Sequence, residues 1–201
     1  MNTFEEMLLT YFSKEQLEKI QKTKVVIVGC GGLGSNAAIT LTRTGFKNFI
    51  LIDHDKVEIS NLNRQAYFFH QIGMPKVEAL KENIKLINKD CQIETYMERI
   101  REDNVDFYLS KGDIILEAVD LAEIKALLIN SALKLNKRIV SASGVCGIGN
   151  GEKIQIKRFK NISIIGDFYS DNVRFKPYAP KVIAISSLEC DEILRMVLYE
   201  E

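Results

Sequence analysis

The chain has 201 residues, of which 46% are hydrophobic and 27% are charged, proportions that are ordinary for one globular domain with a single core. Its 27 basic residues balance its 27 acidic residues, so the overall charge suggests neither a nucleic-acid nor a membrane surface. The first residues lack the basic and apolar segments of a secretion signal, and no run of ~18 apolar residues follows, so we expect a cytoplasmic protein without a membrane span.

Short apolar strands and amphipathic helices alternate along the first two thirds of the chain. Ser13 and Gln16 form a capping-box pattern at the start of a helix that reaches Lys22. After it, the hydrophobic pattern predicts strands joined by helices, as expected of a parallel sheet with right-handed crossovers. The predicted strands are 24–28, 48–52, 92–96, 113–117 and 138–142, and the predicted helices are 33–44, 75–87, 103–110 and 121–136.

The pattern changes in the last third of the chain. Residues 153–159 and 162–165 alternate in character and predict an antiparallel hairpin, which a long loop over 166–180 and a helix over 182–199 follow. The expected fold class is therefore α/β: a Rossmann-like doubly wound sheet, mainly parallel, with an antiparallel C-terminal hairpin extension and a closing C-terminal helix. Within this single domain we distinguish a helical segment 1–22, a nucleotide-binding core 23–143 and a segment 144–201.

A glycine-rich turn, residues 29–34 with the sequence GCGGLG, directly follows the first predicted strand. Gly29 permits the tight turn, Gly31 lets the backbone approach a phosphate, and Gly34 allows close packing of helix and strand. The helix that begins there directs free N–H groups at an anion. Asp53 ends the next strand, about 20 residues after the last glycine, where a carboxylate can accept hydrogen bonds from ribose hydroxyls. We therefore predict a site for an adenosine nucleotide; the alternative is a glycine turn that serves only packing.

A polar loop over residues 53–65 leaves the end of the second strand and indicates which nucleotide this is. Arg64 can form two parallel hydrogen bonds to phosphate oxygens, and Lys76 can place a point charge on them. Asn61, Asn63 and Gln65 can supply neutral donors. A dinucleotide has no evident need for these groups, so we predict a triphosphate, and the alternative is a solvated surface loop.

These residues resemble a known family. The pattern D-x-D-x-V-x-x-S-N-L-x-R-Q over 53–65, followed by G-x-x-K over 73–76, is similar to the signature of the ThiF/MoeB/HesA family of ubiquitin-activating-like adenylyltransferases. The resemblance runs from about Phe12 to the C-terminus. It implies that the chain binds ATP and Mg²⁺, forms a homodimer and adenylates the C-terminal Gly-Gly carboxylate of a small ubiquitin-like carrier protein. The cofactor-binding residues that it implies are Gly31, Gly32, Gly34, Asp53, Asp55, Asn61, Arg64, Gln65 and Lys76.

Asp120 follows the predicted strand 113–117 at its carboxyl end, where a doubly wound sheet binds its ligands. The family has an aspartate there that binds magnesium, an ion that suits one carboxylate together with phosphates and waters. A helix N-cap is an alternative role that Asp120 can combine with metal binding. The family continues Asp-Asn-x-x-x-Arg, whereas this chain has Leu121 and Lys125. The resemblance thus implies Arg64, Lys76 and Asp120 as catalytic residues, with magnesium on Asp120.

The four cysteines, Cys30, Cys91, Cys146 and Cys190, form no Cys-x-x-Cys pair, so neither a disulfide framework nor a zinc site is expected. Many family members carry two such pairs that hold zinc, so the chain is most similar to a shorter, zinc-free ThiF-like group. Cys146 is a possible nucleophile for holding the activated carrier, but a small buried cysteine is the favoured interpretation.

The main functional hypothesis is a sulfur-carrier adenylyltransferase in thiamine thiazole synthesis. Segment 144–201 would dock a ThiS-like carrier, and the loop 166–180 would close over its Gly-Gly tail. One alternative is an NAD-dependent oxidoreductase on the same fold, although no catalytic histidine or Tyr-Lys pair is in a plausible place. The other is a non-catalytic partner subunit, which the altered residues after Asp120 leave open. The family arginine expected before Phe12 is also absent, since the first arginine is Arg43. Nucleic-acid and membrane partners are not expected.

Overall fold

The structure, a computed structural model, describes residues 2–199 as a seven-stranded sheet flanked by seven α-helices. The strands are β1 Lys24–Val28, β2 Asn48–Ile52, β3 Gln92–Tyr96, β4 Ile114–Glu117, β5 Arg138–Ala142, β6 Gln155–Phe159 and β7 Ile162–Gly166. The helices are α1 Thr3–Leu8, α2 Lys14–Lys22, α3 Gly32–Thr44, α4 Lys76–Ile87, α5 Val105–Ser110, α6 Ala122–Lys134 and α7 Ala179–Tyr199.

The strand order in the sheet is β3-β2-β1-β4-β5-β7-β6. All neighbouring strands are parallel except β6, which pairs antiparallel with β7 through a hairpin. The order reverses between β1 and β4, and this reversal is the switch point at which open α/β sheets bind ligands. The predicted fold class, a doubly wound and mainly parallel sheet with a C-terminal hairpin and a closing helix, is confirmed.

Two apolar layers cover the two faces of the sheet. Residues Val25, Ile27 and Leu116 lie on one face and belong to the core formed with α3, α4 and α7. Val26 and Ile115 lie on the opposite face, in the core formed with α5 and α6. Because successive strand residues point to opposite faces, continuous apolar runs such as that of β1 fit a sheet buried on both sides.

Element boundaries differ from the sequence predictions in several places. The prediction did not include α1, in which the Asn2 side chain accepts a hydrogen bond from the Glu5 N–H at 2.9 Å. The hairpin begins at Gln155 because residues 151–153 form a 3-10 turn. The last helix begins at Ala179, since Pro180 is tolerated in a first turn. None of the helices within residues 2–199 has the length and apolar character needed to span a bilayer.

Candidate nucleotide-binding site

The glycine turn between β1 and α3 is packed tightly against the end of β4. Gly29 has a φ of +92°, and a Cβ atom there would lie 2.5 Å from the Ala118 carbonyl oxygen. A Cβ on Gly34 would collide with the Gly29 carbonyl, so the predicted packing of helix on strand is confirmed. A Cβ on Gly31, by contrast, would meet only Gln65 Nε2, at 4.0 Å, and Gly31 caps α3 without a side-chain hydrogen bond. The first N–H groups of α3 are therefore directed at a place that an anion can occupy.

Asp53 faces this turn from the end of β2. Its Oδ2 accepts the Cys30 N–H at 2.6 Å, and its Oδ1 accepts the Asp55 N–H at 2.8 Å. An ionised carboxylate has about four lone-pair positions, so two remain for ribose hydroxyls. The structure thus brings Asp53 to the turn, and its contact with ribose stays a prediction.

Asn61 organises the loop that carries Arg64 and Gln65. Its Oδ1 accepts the Glu58 N–H at 3.0 Å, and its carbonyl accepts the N–H groups of Arg64 at 3.1 Å and Gln65 at 2.9 Å. The Nδ2 atom lies 3.4 Å from the Ser60 hydroxyl. These hydrogen bonds of Asn61 hold the loop in shape and are enough to explain its buried position. Its role as a phosphate donor stays a prediction.

Arg64 and Gln65 both lie over the first residues of α3. The aliphatic part of Arg64 passes Gly32, where a Cβ would lie 3.6 Å from Arg64 Cγ, and its guanidinium donates to Asn63 Oδ1 at 2.7 Å. Gln65 is 8% exposed, and its Oε1 has no hydrogen-bond partner among residues 2–199. Its Nε2 is the nearest atom to a Cβ built on Gly31. An unpaired buried acceptor beside the turn is a place where a bound ligand can donate.

Two polar residues of α3 attach this loop to the helix, and sequence reasoning did not identify them. The Ser35 hydroxyl accepts the Ala66 N–H at 3.0 Å and donates to the carbonyl of Gly31 at 2.6 Å. The Asn36 side chain donates to the Arg64 carbonyl at 2.8 Å. Their only signal in the sequence is that polar side chains follow the glycine turn.

Lys76 begins α4 and is connected to the turn through Tyr67. The Tyr67 hydroxyl donates to the Cys30 carbonyl at 2.7 Å, and burial raises the pKa of Tyr67 well above its usual value, so it remains a donor. Lys76 pairs with Asp55 at 2.8 Å. Burial acts to raise the pKa of Asp55, but the hydrogen bond and charge of Lys76 hold that pKa below its ordinary value. The structure thus brings the two predicted site residues Asp55 and Lys76 together, and Lys76 is buried in an ion pair with Asp55.

Asp120 lies exposed in the loop after β4. It has no hydrogen bond or ion pair within residues 2–199, and the loop is fixed near the turn by the Ala118 N–H, which donates to the Val28 carbonyl at 2.8 Å. The suggestion that Asp120 caps α6 is wrong, because Leu121 is the N-cap residue and no side chain caps the helix. A free carboxylate in this place fits a magnesium ion whose other ligands are phosphates and waters.

Cys146 is buried rather than offered to a substrate. It is 3% exposed, and its N–H donates to the Ser170 hydroxyl at 3.1 Å. Burial raises the pKa of the thiol, although Lys181 opposes this shift. Cys30, Cys91 and Cys190 are free thiols and are buried as well. The interpretation of Cys146 as a small buried residue is therefore supported.

Comparison with known proteins extends the similarity beyond this site. The adenylyltransferase and sulfurtransferase UBA4 of Candida glabrata is 33% identical over 172 residues, which are 85% of this chain and 38% of that protein. The tRNA threonylcarbamoyladenosine dehydratase of Bacillus subtilis is 32% identical over 145 residues, which are 71% of this chain and 57% of that protein. A crystal structure of the E. coli tRNA N6-threonylcarbamoyladenosine dehydratase TcdA in complex with ATP superposes with a TM-score of 0.85 at 24% identity, covering 96% of this chain and 93% of that one.

The chain spans 38% and 57% of the lengths of these two curated relatives. The model of the ThiF family matches residues 5–198, which is nearly the whole sequence. The chain therefore belongs to the ThiF family.

Proposed function

We propose that this protein uses ATP to adenylate the C-terminal Gly-Gly carboxylate of a small ubiquitin-like sulfur carrier. One observation carries the proposal: three separate segments that bear Asp53, Arg64 and Asp120 all attach to the single glycine turn between β1 and α3. A site for a dinucleotide needs the turn and Asp53, but it does not need an arginine loop and a free carboxylate on either side.

Each side chain then has a role in positioning and charge neutralisation. Asp53 holds the ribose, and the first N–H groups of α3 hold phosphate oxygens. Arg64 and Lys76 offset the negative charge that develops on the phosphates as pyrophosphate leaves. Asp120 would hold the magnesium ion, which supplies further neutralisation of the triphosphate. The carrier carboxylate is already ionised at neutral pH, so no side-chain base is required for its attack on the α-phosphorus.

The relatives support this reaction class. UBA4 is an adenylyltransferase and sulfurtransferase, and TcdA has been crystallised with ATP. We favour a ThiS-like carrier in thiamine thiazole synthesis, a homodimeric enzyme and a cytoplasmic location. The exposed edge strand β6 and the segment between β7 and α7 offer a surface for the carrier.

A second candidate is a dehydratase that acts on a threonylcarbamoyl group of tRNA. It is favoured by the 32% identity with the Bacillus subtilis dehydratase over 71% of this chain. A threonylcarbamoyl group also ends in a carboxylate, and adenylation would turn one of its oxygens into a leaving group. The balanced charge of the chain counts against a tRNA substrate.

Mass spectrometry of candidate carriers decides between these functions. The protein is incubated with Mg-ATP and a ThiS-like carrier, and we expect a carrier heavier by one AMP. A carrier that lacks its last glycine is the matched control and should stay unmodified. An unmodified intact carrier, together with a tRNA that loses one water molecule, would favour the second candidate.

A further inference from the structure

Glu117 is a fully buried carboxylate that the proposed reaction does not use. It ends β4, whose other residues, Ile114 to Leu116, are buried and apolar. A charged group in such a place is costly unless donors compensate it. Its hydrogen bonds therefore indicate what it contributes.

Three donors from three segments converge on Glu117. Its Oε1 accepts the Val119 N–H at 2.8 Å, and its Oε2 accepts the hydroxyl of Ser141 on β5 at 2.5 Å. Lys125, in the first turn of α6, forms an ion pair with the same oxygen. Glu117 thus joins the end of β4 to β5, to α6 and to the loop between them.

That loop carries Asp120. Within residues 2–199, the bond from Val119 to Glu117 is the only hydrogen bond between residues 118–121 and a side chain. Backbone contacts of Ala118 with Val28 and Gly29 place the start of the loop against the glycine turn. Among residues 2–199, Glu117 is thus the side chain that fixes the loop carrying Asp120.

A second buried acid, Glu189, lies near Glu117. Glu189 of α7 is also fully buried, and its two carboxylate oxygens have no hydrogen-bond partner among residues 2–199. Burial, followed by the charge of Glu117, raises the pKa of Glu189 well above its usual value. Lys125 pairs with Glu117, and it forms no ion pair with Asp120.

We propose that Glu117 is a positioning residue of the adenylation site. It fixes the loop over 118–121 so that Asp120 faces the phosphates, and it keeps the Lys125 ammonium paired. This inference rests on the proposed function, because the direction of Asp120 matters only where Mg-ATP binds.

The test compares Glu117→Gln with Glu192→Gln. Glu192 is a matched control because it is also fully buried, accepts a serine hydroxyl from Ser163 at 2.9 Å and pairs with arginines, but it lies on α7 against the hairpin. The measurements are the thermal midpoint, amide hydrogen exchange over 118–121, and the magnesium dependence of ATP–pyrophosphate exchange. Both variants should lose stability. Only Glu117→Gln should speed exchange over 118–121 and raise the half-saturating magnesium concentration by about 10–100-fold.

A milder variant keeps the test decisive if Glu117→Gln does not fold. Ser141→Ala removes one donor and leaves the ion pair with Lys125, so we expect shifts in the same directions and of smaller size. Equal magnesium dependence in the Glu117 and Glu192 variants would overturn the inference and leave the proposed function intact. A wild-type protein without carrier-dependent exchange would contradict the proposed function. In that case, unchanged amide exchange over 118–121 in Glu117→Gln would overturn the anchor as well.

Discussion

Asp120 contributes little to folding, since its side chain is exposed and has no partner within residues 2–199. We expect Asp120→Ala to keep the thermal midpoint and to abolish carrier-dependent ATP–pyrophosphate exchange. Arg64→Ala and Lys76→Ala should each lower the exchange rate by ~10²-fold or more, because they remove charge that stabilises the transition state. Glu123→Ala, which removes an exposed acid one turn further on, is the control. Rates within twofold of the wild type for all three variants would show that the site lies elsewhere.

Cys146 gives a second prediction about a single residue. Because its thiol is buried and burial raises its pKa, the thiolate that would accept an activated carrier is scarce at neutral pH. Cys146→Ser should therefore adenylate the carrier at the wild-type rate. On a non-reducing gel we expect no band at the summed mass of protein and carrier. A thiol-sensitive band of that mass, lost in Cys146→Ser, would identify Cys146 as a catalytic residue.

The site residues predicted from the sequence are those whose residue type and spacing indicate a nucleotide-binding turn. Glycines at fixed spacing, and an aspartate after a buried strand, follow from the geometry of a nucleotide turn. Tyr67 and Glu117 could not be found in this way, because a tyrosine in a loop and a glutamate ending a strand acquire meaning only from the backbone groups they meet in three dimensions. Asp120 was placed correctly after the end of β4. Its role as a helix cap was wrong because the N-cap of α6 lies one residue later, and sequence patterns do not fix a helix end to one residue.

At the scale of secondary-structure elements, a buried ion pair holds the segment between β7 and α7. Lys181 Nζ lies 2.6 Å from Asp167 Oδ2 and donates to the Cys146 carbonyl at 2.5 Å. The other oxygen of Asp167 accepts the N–H groups of Tyr169 and Ser170. The segment predicted to close over a carrier tail is therefore anchored at its start and at the first turn of α7.

Breaking this pair should destabilise the protein. Asp167→Asn leaves the buried Lys181 ammonium unpaired, and we expect the free energy of unfolding at pH 7 to fall by about 3–5 kcal/mol in urea titrations. Asp171→Asn is the control, because its partner Arg174 is exposed and the pair is solvated, so its effect should be far smaller. Equal effects of the two substitutions would show that the buried pair does not anchor the segment.

The pH dependence of this effect has a definite sign. Burial acts to raise the pKa of Asp167, but hydrogen bonds from Lys181, Ser170 and Tyr169 outweigh it and hold the pKa at about 2. The folded pKa thus lies below the unfolded value of about 3.9. The ionised group therefore contributes stability above that value, and the contribution is lost as the pH falls through about 2. The difference between wild type and Asp167→Asn should shrink over the same range.

Elements with a strong repeat were predicted well, whereas the short helix α1 was not. Helices such as α3 and α6 follow from their apolar period, whereas α1 has six residues, too few to show one. It is held by tertiary contacts, including the ion pair of Glu5 with Lys47 at 3.2 Å and the burial of Leu8. Such contacts with distant parts of the chain leave no local pattern in the sequence.

At the scale of the whole molecule, the hairpin extends the parallel sheet through its second strand rather than its first. β7 pairs parallel with β5, and β6 takes the edge. Ile162 to Ile165 are apolar apart from Ser163 and suit a strand that is covered on both faces. Lys157 and Arg158 suit an edge that must resist pairing with other chains. The sequence predicted the hairpin, and the order of its strands follows from this difference in polarity.

The central claim is that this nucleotide site binds ATP, and a calorimetric titration of the protein with Mg-ATP and, separately, with NAD tests it most directly. We expect a saturable response to Mg-ATP that Arg64→Ala weakens, and no comparable response to NAD, because the arginine loop and Asp120 surround the place of a triphosphate. Micromolar binding of NAD with no response to Mg-ATP would contradict this account.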